Sequence, residues 1–252
     1  FEVIPSYRRT GWHTQRDGTL RYIFPGHGDV VFDDGDGRKP ILDALRVRGD
    51  MAVQLEYTKR MMDGGLATCA AIGTAFAAPL LEILDDAPNV VTHFFGQTTQ
   101  GKTATQRVAS AIFGDPEKMK LKGNTTATGL EYTLATCNGI LTPIDEITSA
   151  DAKTREDFAY MIYDGKGKTR GAKSGGTRET QAWRACVVST AEVPFTEDSA
   201  RAGAQARVFN IKFTGIAGFE KADIGALYGL TAKHHGHLVR PYAAFLASYD
   251  HD

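Results

Sequence analysis

Gly96 and Gly101 have four residues between them, and Lys102 and Thr103 follow directly, in the run FFGQTTQGKT. The glycines follow an apolar segment, NVVTHFF. They precede TATQRVASAIF, whose apolar residues recur at helical spacing. A strand, a glycine loop and a helix in that order constrain the chain more than any other feature. Glycines let the backbone curl around an anion, and the loop amides and the positive end of the helix face it. Lys102 is placed to reach the β and γ phosphates, and Thr103 to hold Mg²⁺. The expected cradle is Gly96, Gln97, Thr98, Thr99, Gln100, Gly101, Lys102 and Thr103, with ATP and Mg²⁺ as its ligands.

Such a loop needs carboxylates at the end of another strand. GILTPIDEI supplies them 43 residues after Lys102, with Asp145 expected to hold the metal and Glu146 to orient or deprotonate the attacking water. Pro143 cannot donate to a sheet ladder, so a local bulge is expected there. A third segment, WRACVVSTAE, ends in Ser189, Thr190 and Glu192. Its hydroxyls are candidates for sensing the γ phosphate. Arg201 and Arg207 follow, placed to stabilise transition-state charge on a neighbouring subunit, with Arg201 the freer of the two. The stretch Gly165–Arg178 carries Lys166, Lys168, Arg170, Lys173 and Arg178 with five glycines and no acidic residue. That composition suits a flexible reader of phosphate backbones.

The remaining pattern alternates strands and helices. Helices are expected at 103–113, 128–137 and 152–163, and strands at 118–121, 140–144, 183–189 and 207–213, with helices to the end. This order predicts an α/β fold with a mainly parallel sheet, a three-layer αβα phosphate-loop NTPase of the additional-strand class. Residues 1–64 read as a β-rich and then helical lead-in, in which RYIFPGHGDVVF forms two strands around a Pro-Gly turn. Residues 65–252 read as the ATPase core with a helical C-terminal end.

Composition narrows the partners. Lys and Arg number 29 against 30 Asp and Glu, for a net charge of -1, so affinity for nucleic acid must come from a local patch. The three cysteines have no metal-ligand spacing and read as reduced core thiols, which places the chain in the cytoplasm. The apolar run 66–84 contains Pro79 and Glu82 and reads as a buried helix or helix pair, with no membrane role. His234, His235 and His237 read as helix-junction residues without a carboxylate or cysteine to complete a metal site.

With these residues placed, the chain resembles the family catalogued as domain of unknown function 927, found in phages, plasmids and other mobile elements. The resemblance runs through GWH, YIFPG, AFAAPLL, GQTTQGKTATQRVASAIFG, IDEI, DGKGKTRG, VVSTAE, RAGAQARVFNI and HHGHLVRPYAAFL. It implies an ATPase similar to AAA+ and superfamily 3 replicative helicases, often near primase-like modules. The expected function is therefore an ATP-dependent motor on single-stranded DNA, with ATP hydrolysed between the subunits of a homo-oligomeric, hexamer-like ring. A monomeric phosphotransferase and a non-motor nucleotide switch are the alternatives.

Overall fold

The computed structural model describes residues 5–26, 30–33, 35, 37–84, 86–169, 180–197 and 200–249. Four short strands come first: β1 (Ser6–Tyr7), β2 (Gly11–Thr14), β3 (Leu20–Ile23) and β4 (Val31–Phe32). The strands on either side of Pro25 and Gly26 form, but they do not pair with each other. β3 pairs antiparallel with β2, matching Trp12 to Tyr22, and β4 pairs parallel with β1. Burial explains the choice, because Trp12 and Tyr22 pack edge to face inside the core.

Three helices follow, α1 (Arg38–Ala44), α2 (Met51–Met62) and α3 (Leu66–Ala77). Asp50 caps α2 by accepting from the amides of Ala52 and Val53. α3 runs into a 3-10 turn at Ala78–Glu82 that contains Pro79. The apolar run thus forms one helix and one tight turn, and no helix among the described residues is long and apolar enough to cross a membrane.

The rest alternates. β5 (Val90–Phe95), α4 (Lys102–Ala111), α5 (Pro116–Met119), β6 (Leu121–Lys122), α6 (Ala127–Thr136), β7 (Leu141–Asp145) and α7 (Ala152–Asp164) come in turn. β8 (Cys186–Ala191), α8 (Ala202–Gln205), β9 (Val208–Lys212), α9 (Lys221–Lys233) and α10 (Val239–Ala247) complete the chain. The strand expected at 118–121 starts later, because Asp115 caps a helical turn through Pro116 and carries Lys118 and Met119 with it.

One sheet runs β6-β7-β8-β5-β9, with every pair parallel. β8 is inserted between β5, which leads into the glycine loop, and β7, which carries Asp145. That insertion defines the additional-strand class. A parallel sheet is covered on both faces, and all six residues of β8 are buried. On one face Phe94 and Val188 pack with Val108 and Ile112 of α4 and Ile72 of α3. On the other, Val187 and Ile144 pack with Leu130 of α6 and Phe158 of α7. Trp12, Leu45 and Tyr57, from within residues 1–64, join the first of these clusters.

The bulge expected at Pro143 is absent. Leu141, Thr142, Pro143 and Ile144 pair in unbroken register with Cys186 to Ser189. On its other side β7 meets β6 only at Ile144 and Asp145, so Pro143 lies where no β6 residue faces it. The histidines close a junction between α9 and α10. The backbone of His235 bridges Arg48, His235 Nδ1 lies 2.8 Å from the Thr231 carbonyl oxygen, and Tyr57 donates to the His234 carbonyl. Cys137 and Cys186 are buried thiols, both pushed up to about 12 by burial, and Cys69 is half-buried.

Candidate active site

The glycine loop leaves β5 at the edge where strands end. Gly96 has φ 149° and lies against the backbone of Phe213, where a Cβ would sit 2.5 Å from the carbonyl oxygen. Gly101 opens α4 at φ 101°, with Ile216 filling the space a side chain would need. Both positions therefore require glycine. Thr99 also adopts a left-handed conformation, at φ 67°, which tightens the curl between them. No side chain caps α4, so its first amides are open to an anion.

Lys102 is buried, and its ammonium donates to the carbonyls of Gly96 at 2.8 Å and Gln97 at 2.7 Å. The loop is thus latched onto its own lysine. Thr103 is half-buried in the first helical turn, and the amide oxygen of Gln100 is buried close to Gly96. Thr98 donates its hydroxyl to Glu192, which follows β8.

Asp145 ends β7. One of its oxygens accepts from the Thr190 hydroxyl at 2.6 Å, and the other lies 3.7 Å from the ammonium of Lys120. Lys120 also meets Glu117 at 3.0 Å, and Glu117 pairs with Arg107 of α4. Alternating charges therefore connect α4 to Asp145, and the two cations hold the Glu117 carboxyl below its ordinary range. Glu146 is exposed and adopts φ 52°, the left-handed region, before a 3-10 turn at Ile147–Ser149. A non-glycine residue in that conformation persists only where its surroundings hold it. Gly123 supplies that support, lying so close that a Cβ there would meet the Glu146 carbonyl oxygen.

Ser189 and Thr190, expected to act as a pair, face opposite sides. Alternate residues of a strand point to opposite faces. β8 also continues to Ala191, so both hydroxyls lie inside the strand and not beyond it. Thr190 reaches Asp145, while Ser189 is buried, 2.8 Å from Nδ1 of His93 on the adjacent strand.

His93 is fully buried, and burial holds its imidazole down to about 4, although the bond to the Val193 carbonyl pulls the other way. Above the ordinary value of 6.5 neither folded nor unfolded chain carries the proton. Below it the unfolded chain takes up a proton that the folded chain excludes, so stability is lost as pH falls from 6.5 towards 4. The loss should reach about 2 to 3 kcal/mol near the lower limit. Urea unfolding at neutral and acid pH should show that a His93→Gln variant loses this part of the pH dependence. The same acid loss in both proteins would refute the assignment to His93.

Gln106 lies one helical turn beyond Lys102, and its amide nitrogen donates to the carbonyls of Ile144 at 3.0 Å and Val188 at 2.9 Å. The ladder between β7 and β8 ends at Ile144 and Ser189. Gln106 therefore occupies the place where the strands part, and ties α4 to both. Sequence reasoning missed Gln106, Lys120 and His93, and it named Glu192 without giving it a role. Only Gln106 had a visible signal, its helical spacing of four from Lys102.

Arg207 and the basic segment belong to the opposite edge. Arg207 immediately precedes β9, whose Val208 is in register with Val91, near the start of β5. It is therefore about 20 Å along the strand from Gly96. Its guanidinium lies 4.7 Å from the ring of Tyr160 and 4.6 Å from that of Tyr163, and donates to the Gly203 carbonyl. Arg201 is freer, with a side chain 63% exposed, an ion pair to Glu156 at 3.0 Å and a contact with Tyr160.

The basic segment begins as a hairpin base. Lys166 bridges Ala182 antiparallel, Gly167 donates to the Gln181 carbonyl, and Trp183 donates to that of Gly165. Asn89, just before β5, bonds the Ile162 carbonyl of α7 and the Ala185 amide, and so fixes the base at the strand-starting edge. Lys166 and Lys168 are exposed there. Arg170, Lys173 and Arg178 lie outside the described residues.

Residues 3–182 match the model of a family described as domain of unknown function DUF927. Among solved structures, the SCCmec type IV Cch active helicase aligns with a TM-score of 0.73 at 20% identity, over 96% of this chain and 46% of that one. The apo C-terminal region of NrS-1 aligns with a TM-score of 0.45 at 14% identity, over 98% of this chain and 55% of that one. The chain thus spans about half the length of each, and the first likeness establishes a shared fold. No curated protein matches the sequence.

Proposed function

The chain belongs to the DUF927 family, and on that premise we propose that it is an ATP-hydrolysing motor domain acting on single-stranded DNA in the replication of a mobile element or phage. It works in the cytoplasm as a homo-oligomeric, hexamer-like ring, beside a primase or another replication protein. The observation that supports this reading most is the meeting of three strands at one edge. The latched loop of β5, Asp145 of β7 and Thr190 of the inserted strand β8 stand together, and Thr190 is already bonded to Asp145.

In this reading Lys102 exchanges the loop carbonyls for the β and γ phosphates, and the free amides of α4 receive the anion. Thr103 and Asp145 are hard oxygen donors suited to Mg²⁺, and the cationic charge of Lys120 at Asp145 marks a place where positive charge is accepted. Bound there, Mg²⁺ would neutralise phosphate charge. Glu146 orients the water and takes its proton, and Thr190 reports the γ phosphate to Asp145. Arg201, with Arg207 as the alternative, reaches the site of a neighbouring subunit and stabilises transition-state charge there. The basic segment from Lys166 to Lys173 follows the DNA backbone.

ATPase rates with and without single-stranded DNA, beside a sizing measurement with nucleotide, test the reading. DNA should stimulate turnover in an oligomer. Replacing Lys166, Lys168 and Arg170 together by Ala should abolish the stimulation, flatten the log-log salt dependence of binding by about 2, and spare the basal rate. A monomer with full turnover and no response to DNA would instead mark a phosphotransferase or a switch.

A further inference from the structure

The ammonium of Lys120 lies 3.7 Å from one oxygen of Asp145, the carboxylate suited to hold the metal. Lys120 and Asp145 keep only 20% and 19% of their side chains exposed, so charges meet there with little water between them. Two cations at one carboxylate oxygen repel, and the more strongly where water is scarce. The ammonium must therefore have another place to go when a metal arrives.

Glu117 provides that place. It stands three residues before Lys120, on the single turn of α5 that Lys120 ends, so the two side chains are neighbours. Their contact is 3.0 Å, within hydrogen-bond range, whereas the 3.7 Å to Asp145 is beyond it. The ammonium can give up the longer contact and keep the shorter one. No backbone has to move, because Leu121 and Lys122 pair with Ile144 and Asp145 and hold Lys120 beside β7, while the flexible lysine stem carries the charge. Glu117 is fixed in turn by Arg107 of α4, which is buried and lies against the ring of Tyr228. Asp145 stays oriented as well, since its other oxygen accepts from Thr190. Glu117 keeps 60% of its side chain exposed, so the network contributes little to stability.

We propose that Lys120 is a positioning residue that stands in for the metal, neutralising Asp145 while the nucleotide enters and withdrawing to Glu117 when Mg²⁺ takes its place. This inference rests on the ATPase reading and adds an order of events to it. With the ammonium at Asp145, the phosphates that Lys102 and the α4 amides receive do not face an uncovered carboxylate. With the ammonium at Glu117, the Asp145 oxygen is free for the metal. Lys120 thereby favours nucleotide binding before metal and opposes metal binding before nucleotide.

The test measures two equilibria on the whole chain with a fluorescent, non-hydrolysable ATP analogue. One is binding of the analogue in EDTA, and the other is binding of Mn²⁺ to the analogue-loaded chain, followed by electron paramagnetic resonance. Lys120→Met keeps the stem and removes the charge. It should weaken the first and tighten the second, each by roughly tenfold, the scale on which one nearby charge shifts the equilibrium of another. Lys120→Arg, which keeps the charge, should restore binding of the analogue in EDTA. Glu117→Gln removes the place of withdrawal, so Mn²⁺ should bind more weakly while the analogue binds at least as tightly. In the Lys120→Met background the Glu117 substitution should lose most of its effect, because it acts through the lysine.

Opposite signs at the two equilibria separate this role from a structural one, since local damage would weaken both. Two affinities that fall together in Lys120→Met, or that both stay unchanged, overturn the proposal. So does an effect of Glu117→Gln that persists at full size without Lys120. In each of these cases the ATPase reading stands as long as the unaltered chain binds the analogue and Mn²⁺. An unaltered chain that binds no nucleotide, with or without metal, ends the ATPase reading and this inference with it.

Discussion

Glu146→Gln is expected to bind ATP as tightly as the unaltered chain and to hydrolyse it at least about a hundredfold more slowly, the scale of lost general-base help. The amide keeps the size of the side chain and cannot take the proton. The left-handed backbone at Glu146 is braced by Gly123 and by the 3-10 turn that follows, so the substitution leaves the local geometry in place. Equilibrium binding of a fluorescent nucleotide and steady-state turnover separate the two effects. Lys102→Ala supplies the contrast, with loss of binding itself, because the phosphates lose their cation. Normal turnover in the Glu146 variant would remove that residue from the catalytic role.

The second large effect concerns Arg201. Alanine there should lower turnover by about a thousandfold while nucleotide binding persists, the range seen when a transition-state arginine is removed. Within its own chain Arg201 is engaged by Glu156 and Tyr160 of α7 and not by the glycine loop, so the loss should be repaired across a boundary. Mixing Arg201→Ala with Lys102→Ala chains, each nearly inactive alone, should restore part of the activity, because some mixed interfaces pair an intact loop with an intact arginine. The ion pair to Glu156 and the contact with Tyr160 must open for Arg201 to reach out. Arg207 is held between two tyrosine rings and has less freedom. Mixtures no more active than their components would reject Arg201 as the trans residue.

How far the sequence was legible depends on whether a feature is local. The glycine loop could be read because the demands of Gly96 and Gly101 on the backbone lie within eight residues. The alternation of strands and helices could be read for the same reason, and it implied a parallel sheet. The strand between β5 and β7 was expected from the additional-strand class and not from the alternation itself, since strand order is decided by contacts nearly a hundred residues apart. The split between Ser189 and Thr190 was hidden. It depends on the parity with which β8 pairs to β5, and a shift of two residues in the strand's expected end concealed it. Lys120 owes its place to carboxylates on other elements, so no local pattern marks it, while Gln106 is marked only by its spacing of four from Lys102. The basic segment was legible by its charge, but its hairpin base emerged only from the pairing of Lys166 with Ala182.

The sheet order also bears on how the chain is made. β5 sits between β8 and β9, so both of its neighbours are synthesised about a hundred residues after it. At ordinary translation rates of about 5 to 20 residues per second, the apolar edges of β5 wait on the order of 6 to 20 s for partners. Helices α3 and α4 can shelter one of its faces meanwhile, but no neighbour yet meets its backbone amides and carbonyls. Pairings this distant in sequence close slowly, and a strand left open invites wrong partners. The same inserted strand that brings Thr190 to Asp145 thus leaves β5 without a strand neighbour until β8 emerges.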